Sequence, residues 1–471
     1  MTAIVLLCAL LAVLVMLVII TYYLHNIEKQ FDKTDATETD LKKKEEVSGS
    51  KNFVYAALLL TIAGIVAASY VSVKGTPWEA HLMEWLNIVV RVMHITFGIA
   101  WIGASFYFVF LENALNRTEN VRDELAGNLW AVHGGGFYYL EKYKVAPKTI
   151  PKHLHWFKYE AYFTWLSGFC LLFVVYYFNA SAFLIDKNVL DITATQGILI
   201  GVGSFIVAWL LYDVLCKTLM KKSKLLFGII GFAILVGFAY FYSHVFNSRA
   251  AYIHFGAMIG SIMVANVFFV IIPSQKAMVK AAKEGSVLNP QLGKNALARS
   301  LHNNYFTLPV LFVMVSNHFP STFGYQYPWL ILAIISLGAA GVKHYLNIKE
   351  KGQLSVWVMP VSVMILLAAC FISAPPINPN ACKSKVSFTE VNAIIQLRCV
   401  ACHSAKPTDD VNKVAPNGVM YDTPDEIYKK KDLIMQRVVI TKTMPQNNKT
   451  NITEAERDLI RCWIEQGAPL K

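Results

Sequence analysis

Long apolar runs separated by short charged stretches dominate the first 374 residues. Ten runs stand out: 4–24, 53–74, 86–111, 160–178, 195–215, 225–246, 250–273, 304–318, 328–346 and 355–374. At ~1.5 Å per residue, most can cross a ~30 Å hydrocarbon core as a helix. The eighth is the shortest and contains Pro309. The first has no Lys or Arg before it and no small-x-small site after it, so it reads as a membrane helix and not as a cleaved signal. From about residue 377 the pattern changes. Ser387-Phe-Thr-Glu390 and Thr453-Glu-Ala-Glu456 are capping boxes, each opening an amphipathic helix of a soluble segment. The predicted fold class is all-α: a polytopic bundle of about ten spans followed by a small helical domain. Three regions follow: 1–52, a first span and a charged linker; 53–376, the multi-helix membrane domain; and 377–471.

Composition agrees, with 55% hydrophobic and 16% charged residues and a mean hydropathy of +0.43. The charges fix an orientation. With the N-terminus outside, five loops face the cytoplasm and hold six, seven, four, five and three Lys or Arg, 25 in all. The outer loops hold Lys74, Lys187 and Arg249. This is the positive-inside asymmetry, and ten crossings return the C-terminus to the outer, periplasmic face of a cytoplasmic membrane. The net charge of +12 is therefore mostly loop bias. With no phosphate-binding loop or dinucleotide fingerprint, nothing indicates nucleic acid.

Cys399-Val-Ala-Cys402-His403 carries the sharpest chemistry. Two thiols three residues apart with an adjacent His read as a c-type haem attachment site, with His403 as an axial ligand to the iron; a redox pair or half of a zinc site is the plainer alternative. Helix, CxxCH, irregular middle and terminal helix is the order of a class I cytochrome c, which residues 377–471 resemble. The resemblance includes Thr443-Met444-Pro445 and Trp463-Ile-Glu-Gln-Gly467-Ala-Pro469. It implies Met444 as the second axial ligand, with Met420 and Met435 as competitors. The first and last helices cross in that family, which implies a Cys382–Cys462 disulfide. Cys8, Cys170, Cys216 and Cys370 read as small apolar residues.

The histidines sort by depth. His94, His254 and His318, with His244, fall near the outer ends of their spans, and Arg91 and Arg249 lie close to them in sequence. Ionisable groups within spans are costly and are functional candidates. Imidazoles with nearby arginines suit a haem b, with His on iron and Arg on the propionates. Hydrogen bonding between helices is the plainer role. A second group faces the cytoplasm: His133 before three glycines, His155, Glu160, Arg299, His302 and His344, where Lys158, Arg299 and His302 could hold an organic anion.

Four segments carry a further resemblance: His94-Ile-Thr-Phe-Gly-Ile-Ala-Trp101, Leu129-Trp-Ala-Val-His133-Gly-Gly-Gly-Phe137, Leu154-His155-Trp-Phe-Lys-Tyr-Glu160 and Ala298-Arg-Ser-Leu-His302-Asn-Asn-Tyr. Together they resemble the membrane-bound urate oxidase (urate hydroxylase) family, whose members join a multi-helix domain to a C-terminal cytochrome c. Helices 1 and 2 look like an addition to that pattern. The resemblance implies oxidation of urate to 5-hydroxyisourate, with His94, His254, His318, His133, His155 and His302 as candidate catalytic residues. Electrons would pass to the haem c and on to a respiratory acceptor such as a cytochrome c or terminal oxidase. The alternatives are a haem-containing electron-transfer or terminal-oxidase-like subunit without urate, and a transporter with an appended cytochrome.

Overall fold

The computed structural model describes residues 71–73, 76–147, 149–151, 154–287, 289–374, 382 and 384–470, with Gly64. The run 4–24 and nearly all of 53–74 lie outside the described residues. The chain forms two compact units, divided at Leu86/Asn87. In the first, the described part is mainly the start of α1 (Pro77–Ala114), where His81 packs edge-on against Trp78 and Trp85.

The second unit begins within α1 and holds a helical bundle. Its elements are α2 (Tyr159–Leu172), extended by a π turn to Tyr177, then short α3 (Ala180–Phe183), α4 (Ala194–Lys222) and α5 (Lys224–Ser243). Next come α6 (Ser248–Ala265), continued by a π turn into α7 (Ile272–Lys283), and α8 (Pro290–Ser316). Short α9 (Pro320–Phe323), α10 (Pro328–Glu350) and α11 (Val358–Ile372) complete it. Caps mark the helix starts: Thr193 and Gln196 form a capping box on α4, and Asn247 and Asn289 cap α6 and α8. Twelve of the 18 residues of α6 are buried, so this helix is the centre of the bundle. It packs on α4, α5 and α8, around a core that includes Tyr177, Phe205, Tyr242, Phe246 and Val313.

Six helices among the described residues are long and apolar enough to cross a membrane: His81–Ala114, Tyr159–Tyr177, Ala194–Lys222, Lys224–Ser243, Ser248–Lys283 and Pro328–Glu350. Two expected spans differ. The run 304–318 is the end of α8, a 27-residue helix that carries Lys294, Arg299, His302 and Asn303 before that run. The run 355–374 is the 15-residue α11, shorter than a span needs.

The all-α expectation is corrected between α1 and α2. Residues 125–143 form an antiparallel hairpin, β1 (Leu125–His133) and β2 (Gly136–Tyr143). Gly134 and Gly135 both take positive φ, 58° and 79°, at its two-residue turn. Such a turn matches strand twist and favours glycine at both positions. The glycines after His133 thus make a tight turn, and His133 is exposed at the tip.

The C-terminal segment is helical. α12 (Phe388–Arg398), α13 (Pro424–Lys429), α14 (Lys431–Ile434) with a π turn to Ile440, and α15 (Glu454–Glu465) surround their own core of Val391, Ile395, Ile427, Ile460 and Trp463. Both expected capping boxes are formed, Ser387 with Glu390 and Thr453 with Glu456. Cys382 and Cys462 form a disulfide, with Cα atoms 5.4 Å apart.

Candidate functional site

The CxxCH stretch follows directly from α12. Cys399 is the C-cap, and its carbonyl accepts from the backbone N–H of Cys402 (3.2 Å) and of His403 (2.9 Å). The chain therefore turns tightly, which holds the two thiols and the imidazole in one short loop. Nδ1–H of His403 donates to the carbonyl of Val419 at 2.9 Å, leaving Nε2 as the lone-pair nitrogen. Burial lowers the His403 pKa, against the opposing pull of that carbonyl, and so favours the neutral imidazole a metal requires. Burial pushes the Cys399 thiol up to about 12, with Cys402 adding to it. Met444 packs against the same core as Cys399, Val400 and Trp463, whereas Met420 and Met435 are not part of it. Its loop is pinned at both ends of the residue: Met444 N–H donates to the Arg437 carbonyl (3.0 Å), and buried Arg457 donates to the Met444 carbonyl (2.9 Å) and to that of Val438. Trp463 is fully buried and its Nε1–H bonds the Pro469 carbonyl at 2.8 Å. Among the described residues, no group of three or more His, Cys, Asp or Glu could hold a metal ion.

Two residues beyond Met444, this segment grips the bundle. Gln446 Nε2 donates to the Ala182 carbonyl at 2.7 Å, and Asn447 Nδ2 donates to those of Ala182 (3.1 Å) and Ile185 (2.7 Å). Gly324, after α9, approaches Thr441 so closely that a Cβ there would lie 2.7 Å from its carbonyl oxygen. The end of the bundle formed by α3 and α9 is thus the docking end.

The histidines assigned to this end do not converge on one another. His254 is fully buried in α6. Its Nδ1–H donates to the Ala250 carbonyl at 2.8 Å, and its Nε2 accepts from the Tyr177 hydroxyl at 3.0 Å. Phe205, Tyr242 and Phe246 enclose the ring. His94, in α1, instead meets α2: its Nδ1–H faces the Thr164 carbonyl (3.0 Å) and Ser167 Oγ (3.3 Å), and its ring rests on Gly168. His318 is exposed after α8, and His244 is stacked on Tyr240. Arg249 donates to Asn317 Oδ1 (3.1 Å), which also accepts from Tyr176 (3.4 Å), while Arg91 donates to Asn87 (3.0 Å). With both nitrogens engaged, His254 offers no lone pair to iron in this arrangement.

The opposite half of the bundle is more polar than its sequence suggests. Buried Arg299 donates to Asp213 Oδ1 (2.5 Å) and Asn266 Oδ1 (3.2 Å) and lies over the Tyr212 ring. Asn266 donates to the Tyr212 oxygen (3.1 Å) and to Asn303 Oδ1 (2.8 Å), and the Tyr212 hydroxyl reaches His302 Nδ1 at 2.7 Å. Phe227 stacks on the His302 ring. Arg299 and His302 therefore do come together, but Asp213 already matches the arginine's charge. Lys158 lies over the neighbouring Tyr159 ring, and His155 is exposed against Phe157. Asp213, Tyr212, Asn266, Asn303, Asn304, Lys343 and Asn347 were missed in the sequence. Their signal was the presence of polar groups inside apolar helices, where each must find a partner.

No curated protein and no solved structure matches the chain. The family model described as urate oxidase N-terminal matches residues 80–374, which takes in α1 from its fourth residue and all of α2 to α11. The chain belongs to the urate oxidase N-terminal family.

Proposed function

We propose that this chain is a membrane-bound urate oxidase that passes electrons from its helical domain to a haem c held by its C-terminal domain. The family match over residues 80–374 supports a urate-related oxidoreductase role. The apolar helices support a membrane location, since α1 exposes Ile88, Val89, Val92, Ile95 and Ile99, a surface suited to lipid. The observation that carries the reading is the grip of Gln446 and Asn447 on that same family domain, two and three residues past Met444.

The donor set fits a covalently attached haem. Cys399 and Cys402 would make the thioether links, and His403 and Met444 are the residues that would hold the iron. Bound there, the haem would supply a one-electron store whose potential Met/His ligation raises. The chain's residues do the rest. Val419 orients His403, Arg457 and Arg437 hold the Met444 loop, and Trp463 excludes water from the core below. Conversion of urate and water to 5-hydroxyisourate releases two electrons and two protons, and neutral histidines suit the proton step. A respiratory carrier, a cytochrome c or terminal oxidase, is the proposed acceptor. The proposed orientation puts the C-terminal domain on the periplasmic face of the cytoplasmic membrane.

The test is an anaerobic spectrum of the purified full-length protein before and after urate. Urate should reduce the haem and form no hydrogen peroxide. Stoichiometric peroxide in air, with the haem left oxidised, rules the mechanism out.

A further inference from the structure

Among the described residues of the bundle, Arg299 and Lys343 are the buried cationic side chains. They are treated differently. Arg299 has a carboxylate and an amide as partners. Lys343, in α10, is only 3% exposed, yet among the described residues no carboxylate lies within ion-pair distance of it. Its Nζ sits 3.8 Å from the centroid of the Phe106 ring of α1. Glu350, two turns further along α10, is bonded to Asn113. An ammonium this little exposed, resting on a ring face and with the Glu350 carboxylate acting on it only from two turns away, retains most of its charge for another partner.

One turn along the same face of α10 is Asn347, 3% exposed, and across from it in α8 is Asn304, fully buried. Asn347 Nδ2 donates to Asn304 Oδ1 at 3.0 Å. Asn304 Nδ2 and Asn347 Oδ1 have no partner. Exchanging N and O of both amides reverses the bond but changes nothing else, because one amide donor and one amide acceptor are still left over. Two turns before Lys343, Ser336 Oγ is also buried without a partner. Tyr305 on α8 is held at the same level by His344 Nδ1 at 2.7 Å. Buried polar atoms are almost always satisfied, so this concentration of unmatched groups around an unmatched cation points to a ligand.

We infer that Lys343, Asn304 and Asn347 bind the anionic heterocycle on which the chain acts, resting on the urate reading above. A urate monoanion offers the complement: delocalised negative charge for Lys343, and adjacent ring N–H and C=O groups for the leftover amide acceptor and donor. The Phe106 ring supplies a flat apolar wall. The site lies between α8 and α10, separate from the Arg299 network on the α4 and α6 side of α8.

The test measures thermal stabilisation of the detergent-solubilised, full-length protein by urate and by xanthine under anaerobic conditions. Wild type should be stabilised by both. Lys343→Met should weaken urate binding about tenfold or more, the scale of one lost charge-assisted hydrogen bond. Lys343→Arg should keep most of it, and Lys280→Met, on the exposed surface of α7, should keep all of it. Asn347→Asp separates a ligand role from a structural one: it places a carboxylate one turn from Lys343, so it should fold at least as well as wild type and lose urate binding. Unchanged affinity in Lys343→Met or Asn347→Asp overturns the site, as does the absence of any urate shift in wild type. Urate binding that is lost in these variants but never reduces the haem upholds the site and overturns the oxidation reading instead.

Discussion

The Tyr177 hydroxyl and the buried imidazole of His254 meet at 3.0 Å, directly over Gly201, where a Cβ would lie 2.8 Å from the hydroxyl and 3.0 Å from Nε2. α2, α4 and α6 are therefore locked together by one hydrogen bond that needs a glycine beneath it. Tyr177→Phe should strand Nε2 and cost about 1–3 kcal/mol. Gly201→Ala should destabilise as well, by forcing the pair apart. Thermal unfolding in detergent checks both, and unchanged midpoints would show that the contact is not structural.

The haem proposed for the C-terminal domain should be covalently attached in the full-length protein and absent when Cys399 and Cys402 are both replaced by alanine. Haem staining of a denaturing gel reads this directly. The bundle should still fold, because neither thiol contributes to its core. Met444→Ala should retain the covalent haem but lower its reduction potential. A potential equal to that of wild type in a redox titration would exclude Met444 as a ligand.

Cys382 and Cys462 close a loop with a sequence separation of 80. Replacing both by serine should destabilise the C-terminal domain by about 2–4 kcal/mol. The loss should appear as a lower unfolding midpoint for the C-terminal domain in calorimetry, without a shift in the bundle's own transition.

Stability of this domain should also depend on pH through Asp409 and Lys449, 2.5 Å apart. Burial pushes the Asp409 pKa up, but Lys449 and the backbone N–H groups of Asn412 and Val411 outweigh it and hold it well below the usual carboxylate range. A depressed acid pKa contributes stability above the unfolded value of ~3.9, and the contribution is lost as pH falls through the folded value. For Lys449, burial lowers the pKa, yet Asp409 and Asp410 raise it overall. Its contribution is complete below ~10.4 and is lost as pH rises through the folded value. Asp409→Asn should flatten the acid limb, and unfolding midpoints measured from pH 3 to pH 7 will show whether it does.

Sequence pattern located what depends on local order. The capping residues Ser387 and Thr453 start helices where their spacing says they do, because a cap is satisfied within four residues. The six apolar helices are legible because length and composition decide them. The hairpin at Gly134-Gly135 was ambiguous, since glycines after a His suit a ligand loop as well as a turn. Lys343 is a lone charge near the end of the apolar run 328–346, where nothing local marks it as buried. Its burial depends on Phe106 and Asn347 lying beside it, and the pairing of Asn347 with Asn304, 43 residues away, is set by helix packing that no local pattern encodes. His254 was legible as buried, but the Tyr177 hydroxyl that occupies its second nitrogen was not.

The grip of Gln446 and Asn447 on the carbonyls of Ala182 and Ile185 uses neutral amides alone. Salt screens charges, not dipoles in close contact, so ionic strength that would loosen a complex of opposite charges should leave this one closed. Under the proposed function, transfer from bundle to C-terminal domain would then be a first-order event within one chain, independent of protein concentration and nearly independent of salt. The proposed delivery onward to a separate carrier would retain the ordinary second-order, salt-sensitive behaviour of a diffusional encounter. The two steps can therefore be told apart by varying ionic strength.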